Sequence, residues 1–112
     1  MIEIPLAQTP NQEFEIELEG QACTITIRQL NDYVYMSLWL DSTLIVESAI
    51  CMPLELILQA SNAHQFNGNF LFYDVTAPQD LQDNPDYEEF SDRFKLLYLT
   101  DSEIEALKDA DD

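Results

Sequence analysis

Residues 13–19 read Glu13-Phe14-Glu15-Ile16-Glu17-Leu18-Glu19. Every second side chain is apolar, and the ones between are all carboxylates. Successive side chains of an extended strand point to opposite faces. The stretch therefore predicts a half-buried strand with a fully acidic outer face. Gly20-Gln21 follows as a turn. Cys23, Ile25 and Ile27 then alternate with Thr24, Thr26 and Arg28. That is a second strand, and the two predict a hairpin.

Working outward, Asn31-Asp32 is the next turn signal. Tyr33 to Leu40 predicts a third strand. Val34, Met36, Leu38 and Leu40 share one face; Tyr33, Tyr35, Ser37 and Trp39 share the other. A strand apolar or aromatic on both faces is central to its sheet or covered by a partner. Asp41-Ser42 turns the chain, and Leu44 to Ile50 returns as a fourth strand, stopped before Pro53. Leu54 to Ala60 fits a short helix or a strand equally well. Asn67-Gly68 marks a turn before an aromatic strand from Asn69 to Val75. Residues 76–91, with Pro78 and Pro85, predict a long polar loop. Phe94 to Thr100 is the last strand. Thr100 and Glu103 form a capping box for a short helix through Lys108 that would bury Ile104 and Leu107. The tail from Asp109 to Asp112 predicts a frayed end.

Six or seven short strands with turns about every ten residues predict a mainly β domain. The expected architecture is a small antiparallel barrel or sandwich with a short C-terminal helix. Residues 1–100 form the single β domain, and 101–112 the acidic helix and tail. The chain has 112 residues and shows no internal repeat, which suits one domain.

Charge limits the possible partners. There are 22 acidic residues against 4 basic ones, a formal net charge of −18, yet 46% of the residues are hydrophobic, enough for a core. Neutralising a phosphate backbone needs many lysines and arginines. Arg28, Arg93, Lys95 and Lys108 do not suffice, so direct nucleic-acid binding and anionic membrane surfaces are disfavoured. No apolar run reaches the length of a spanning helix. The start of the chain lacks the features of a signal peptide, so assembly in the cytoplasm is expected. Cys23 and Cys51 then read as reduced, buried thiols.

Catalytic signatures are missing. His64 stands in a polar stretch, and no nucleophile elbow, paired-cysteine motif, zinc helix or phosphate loop accompanies it. No catalytic residue, metal or cofactor is expected. The acidic residues Asp80, Asp83, Asp86, Glu88, Glu89 and Asp92 lack the spacing of a calcium loop. They read as a solvated acidic surface, together with Glu13, Glu15, Glu17 and Glu19. The candidate interface residues are Tyr33, Tyr35, Trp39, Phe72 and Tyr87, because aromatic side chains anchor protein interfaces.

Several segments, taken in order, resemble the small baseplate plug proteins of contractile-tailed phages. They are Ile2-Glu3-Ile4-Pro5-Leu6, Pro10-Asn11-Gln12 before the acidic strand, and Tyr35-Met36-Ser37-Leu38 with Asp41-Ser42. Gly68-Asn69-Phe70-Leu71-Phe72-Tyr73-Asp74 and Asn84-Pro85-Asp86-Tyr87 before Arg93-Phe94-Lys95-Leu96-Leu97-Tyr98-Leu99 complete the set. The resemblance covers residues 1 to about 100. Ser42 replaces a natural turn glycine, residues 53–66 match little, and the helical tail lies outside. The resemblance implies a virion component of the tail baseplate, assembled in the bacterial cytoplasm. It would close the central lumen before infection and contact hub and tail-tube proteins through sheet edges and loops.

Two other readings compete. An acidic DNA mimic that inhibits a host DNA-binding enzyme would account for the charge, though not for the ordered motifs. A small enzyme pairing Cys23 or Cys51 with His64 would need those side chains within hydrogen-bond reach.

Overall fold

The computed structural model describes residues 1–59 and 66–110. Its strands are β1 (Ile2–Ile4), β2 (Asn11–Leu18), β3 (Gln21–Leu30), β4 (Tyr33–Leu40), β5 (Thr43–Ile50), β6 (Asn69–Asp74) and β7 (Phe94–Leu99). Helix α1 (Asp101–Ala110) follows β7 at once. The chain makes two antiparallel sheets, one in the order β2-β3-β4-β5 and one in the order β1-β7-β6. The sheets are not closed into a barrel, so the sandwich is the arrangement found.

The larger sheet is a meander whose three turns are each two residues long. The β2–β3 turn places Glu19 and Gly20 at positive φ (52° and 76°), as a tight hairpin turn requires. Asn31 and Asp41 take the left-handed conformation at the other two, which short amide and carboxylate side chains tolerate. The acidic alternation runs in register: Phe14 opposes Ile25 and Ile16 opposes Cys23. Pairing of β4 with β5 is interrupted by register shifts. At one of them Ser48 adopts φ 52°, and its amide donates to Ser37 Oγ (2.9 Å).

The core lies between the inner faces. Ile25, Ile27, Val34, Met36 and Leu38 of the larger sheet face Phe70, Phe72, Leu96 and Tyr98 of the smaller. Phe66, Phe70 and Tyr98 cluster at one end, with ring centroids 5.5–6.0 Å apart. Phe72 stacks on Phe90 at 5.7 Å. Both cysteines are buried free thiols. Burial pushes Cys23 up to about 11 and Cys51 further still.

The structure departs from the sequence reading at three points. First, it adds a strand the sequence did not announce: β1 pairs with β7, with Ile4 opposite Leu96, and three residues cannot announce a strand by periodicity. Second, residues 53–58 form neither a helix nor a regular strand. Pro53 bridges Phe72 in parallel, Leu54 N donates to Phe72 O (2.8 Å) and Ile57 N to Phe70 O (2.9 Å). The Asn69 side-chain amide completes this strap by exchanging hydrogen bonds with Leu58 N (2.8 Å) and Leu58 O (3.1 Å). Pro53 has no N–H and Leu54 sits at φ 61°, so a continuous ladder cannot form. Third, the capping box of α1 forms, with Thr100 N donating to Glu103 Oε1 (3.0 Å) and Glu103 N to Thr100 Oγ1 (3.2 Å). Its apolar residues are not sealed, however. Ile104 is half-buried and Leu107 is 44% exposed. Helix α1 runs on to Ala110, so Asp109 and Ala110 of the expected frayed tail are helical backbone; the expectations about His64 and the last two residues fall outside the described residues. No described helix is long and apolar enough to cross a membrane.

Candidate docking surface

The outer face of the larger sheet changes character from one edge to the other. Register places Glu15, Thr24, Trp39 and Leu44 in one cross-strand row. Glu13, Thr26 and Ser37 form the next, and Asn11, Arg28, Tyr35 and Ile50 the third. The β2 edge is thus carboxylate, β3 mostly threonine, β4 aromatic and β5 aliphatic. Tyr35 and Trp39 are half-buried, and Tyr33, Leu44 and Ile50 are 41%, 39% and 44% exposed. Large apolar side chains grouped on one accessible face, here the pairs Trp39–Leu44 and Tyr35–Ile50 on either side of Ser37, are the usual marks of a protein contact.

Three of the candidate interface residues, Tyr33, Tyr35 and Trp39, therefore share this face. Phe72 does not. It is fully buried, and its place is a correction: aromatics occur on both sides of β6, and parity alone does not say which side faces inward. Tyr87 lies elsewhere, half-buried in the long loop, with its amide donating to Gln29 Oε1 (2.8 Å). Leu44 and Ile50 belong to the face but were not singled out in the sequence. Leu44 was within reach, because a two-residue turn at Asp41-Ser42 pairs Leu40 with Thr43 and hence Trp39 with Leu44. Ile50 was not, because the bulges decide its position.

The acidic residues divide into two groups. Glu13, Glu15 and Glu17 are exposed along β2, and Asp80 and Glu88 are exposed in the loop. Others are committed to partners. Glu19 accepts a hydrogen bond from the buried Tyr98 hydroxyl, which also lies 2.7 Å from the Asn67 carbonyl oxygen. Burial, with the Glu19 carboxylate beside it, raises the Tyr98 phenol well above its usual range. In the loop, Arg93 gathers two carboxylates that sequence alone assigned to solvent, Asp83 and Glu89, together with Asp74 of β6. Its guanidinium reaches Asp74 (2.7 Å), Asp83 (2.5 Å) and Glu89 (3.3 Å), and it lies 4.8 Å from the centre of the Phe94 ring. Gln82 adds a strand-like clasp: Asp74 N donates to Gln82 Oε1 (2.6 Å), and Gln82 Nε2 donates to Asp74 O (2.9 Å). Residues 75–92 are therefore tied down at several points, with short 3₁₀ turns at Gln79–Leu81 and Tyr87–Glu89. Among the described residues, no three His, Cys, Asp or Glu side chains converge as a metal site.

The model of the family described as cyanophage baseplate Pam3 plug gp18 matches residues 1–102. The chain belongs to this family. No curated protein matches it. Membership makes the chain a structural component of the phage tail baseplate, which assembles with other baseplate or tail proteins. The match takes in both sheets, the long loop and the outer face built on Tyr35 and Trp39. It ends as α1 begins.

Proposed function

We propose that this protein closes the central lumen of the tail baseplate before infection. It seats there through the outer face of its larger sheet. The observation that carries the seating is the cross-strand strip of Tyr33, Tyr35, Trp39, Leu44 and Ile50, apolar and accessible in a chain of net charge −18. Aromatic anchors of this kind supply contact area at low entropic cost. Tyr87 is a further contact residue from the loop, and hub and tail-tube proteins are the partners. The carboxylates of β2 suit the role, because an acidic wall repels DNA and does not trap a passing duplex. No cofactor and no catalytic step belong to this reading, and family membership supports it over the DNA mimic.

Purified tail particles provide the test. The protein should be found in them by mass spectrometry, with density across the baseplate lumen in their reconstruction. Tyr35→Ala with Trp39→Ala should remove the protein from particles while its fold persists in solution. Particles that contain the protein but show an open lumen would refute closure. Full incorporation of the double variant would refute the docking face.

A further inference from the structure

The outer face of the smaller sheet carries a second surface, independent of lumen closure. Leu71 and Leu97 oppose each other across β6 and β7 and floor a groove of about 750 Å³. The strap walls one side with Leu54, and α1 walls another with Ile104 and Leu107. The apolar stripe of a surface helix faces what the helix packs against. Here Ile104 is only half-buried and Leu107 is exposed, so the stripe is incompletely covered. The capping box fixes the start of α1 and so holds the wall in place.

Charge decides what suits this groove. Glu55 on the strap, Asp80 within the 3₁₀ turn Gln79–Leu81 and Glu105 on α1 are exposed sequence neighbours of lining residues. The Lys95 ammonium on this face is held by Glu3 (3.2 Å), and the Met1 ammonium, whose residue lines the groove, is paired with Glu103. We infer that the groove between α1 and the strap is a docking site for a segment of another protein, one whose aliphatic side chains are flanked by lysine or arginine. An apolar floor takes the aliphatic anchors, and an acidic surround selects cationic flanks over anionic ones. A second copy of this chain would set acid against acid across the same contact. An anionic lipid surface would meet the same repulsion.

Binding is tested in solution on the full chain, so the outcome does not depend on tail particles. The probes are a short peptide of alternating leucine and lysine and its counterpart with glutamate for lysine. The lysine peptide should shift the amide resonances of Leu71, Leu97 and Ile104, and its affinity should fall several-fold as salt is raised. Ile104→Glu and Leu107→Glu should each weaken it roughly tenfold. Leu107 is exposed enough for its variant to keep the fold, which circular dichroism checks. Equal binding of both peptides, no shift at those amides, or shifts confined to Glu13, Glu15 and Glu17 would overturn the inference. Self-association that protects Leu97 and Ile104 would overturn it in favour of a second copy.

Discussion

Asp74 and Arg93 meet at the end of the β6–β7 pair, with Arg93 Nη2 2.7 Å from a carboxylate whose side chain is 0% exposed. Asp74 also accepts from Thr76 N (2.9 Å) and Thr76 Oγ1 (2.7 Å). The Arg93 hydrogen bond, aided by Thr76 against the opposing effect of burial, holds the carboxyl well below the usual carboxylate range. An unfolded Asp takes up its proton near pH ~3.9. Below that pH the unfolded chain is protonated while the folded one is not, so stability falls as pH falls. Asp74→Asn should remove this part of the acid sensitivity and lower the melting temperature at neutral pH by on the order of 10 °C. Thermal unfolding followed from pH ~7 down to ~2, through the unfolded carboxylate's range, checks both. An unchanged acid slope in the variant would show that the pair does not set it.

Gly68 makes a sharper steric prediction. Its φ is +98°, and a Cβ built there would lie 2.5 Å from Tyr98 Oη and 2.6 Å from Leu99 O. Neither neighbour can yield cheaply, because Tyr98 is buried and Leu99 O belongs to the backbone of β7. Gly68→Ala should cost roughly 2–4 kcal/mol. Gly20 also sits at positive φ but has nothing within 4 Å of its Cβ position, so Gly20→Ala should cost less. Urea unfolding midpoints at unchanged slope make the comparison.

These two sites mark where sequence reading stops. The meander was legible because each of its determinants is local: the Phe14-Ile16-Leu18 alternation, and polar or glycine residues in its two-residue turns. Thr100 and Glu103 were legible for the same reason, three residues apart on one turn. The pairing of β1 with β7 joins Ile2 to Tyr98, and no pattern in three residues encodes a partner so distant. Arg93 collects Asp74 and Asp83 from 19 and 10 positions away, so Asp83 read as solvated charge and the ion pair to Asp74 went unread. The candidate face was half legible. Tyr35 and Trp39 follow from the parity of β4, whereas Ile50 depends on a bulge and Phe72 on which side of β6 meets the core.

The thiols should be inert in the folded state. Thiolate is the reactive form, and burial pushes Cys23 up to about 11 and Cys51 higher. At pH ~8 a thiol reagent should label neither cysteine in the native protein and both once it is denatured. Rapid native labelling of one equivalent would show local opening at that residue.

Trp39 separates docking from folding. Its outward ring is half-buried among its own neighbours, Thr24 and Leu44, and leaves the inner core untouched. Trp39→Ala should cost only about 1 kcal/mol of stability. In the proposed seat, the same indole becomes a central anchor, whose loss costs about 2 kcal/mol or more of binding. The variant should therefore stay folded in solution and compete poorly with the unaltered protein for tail particles. Isotope-labelled mixtures of the two, supplied together during assembly and quantified in purified particles, read this directly. At an energy difference of about 2 kcal/mol, the ratio in particles should favour the unaltered protein by more than tenfold. Equal incorporation would place the docking anchors elsewhere on the molecule.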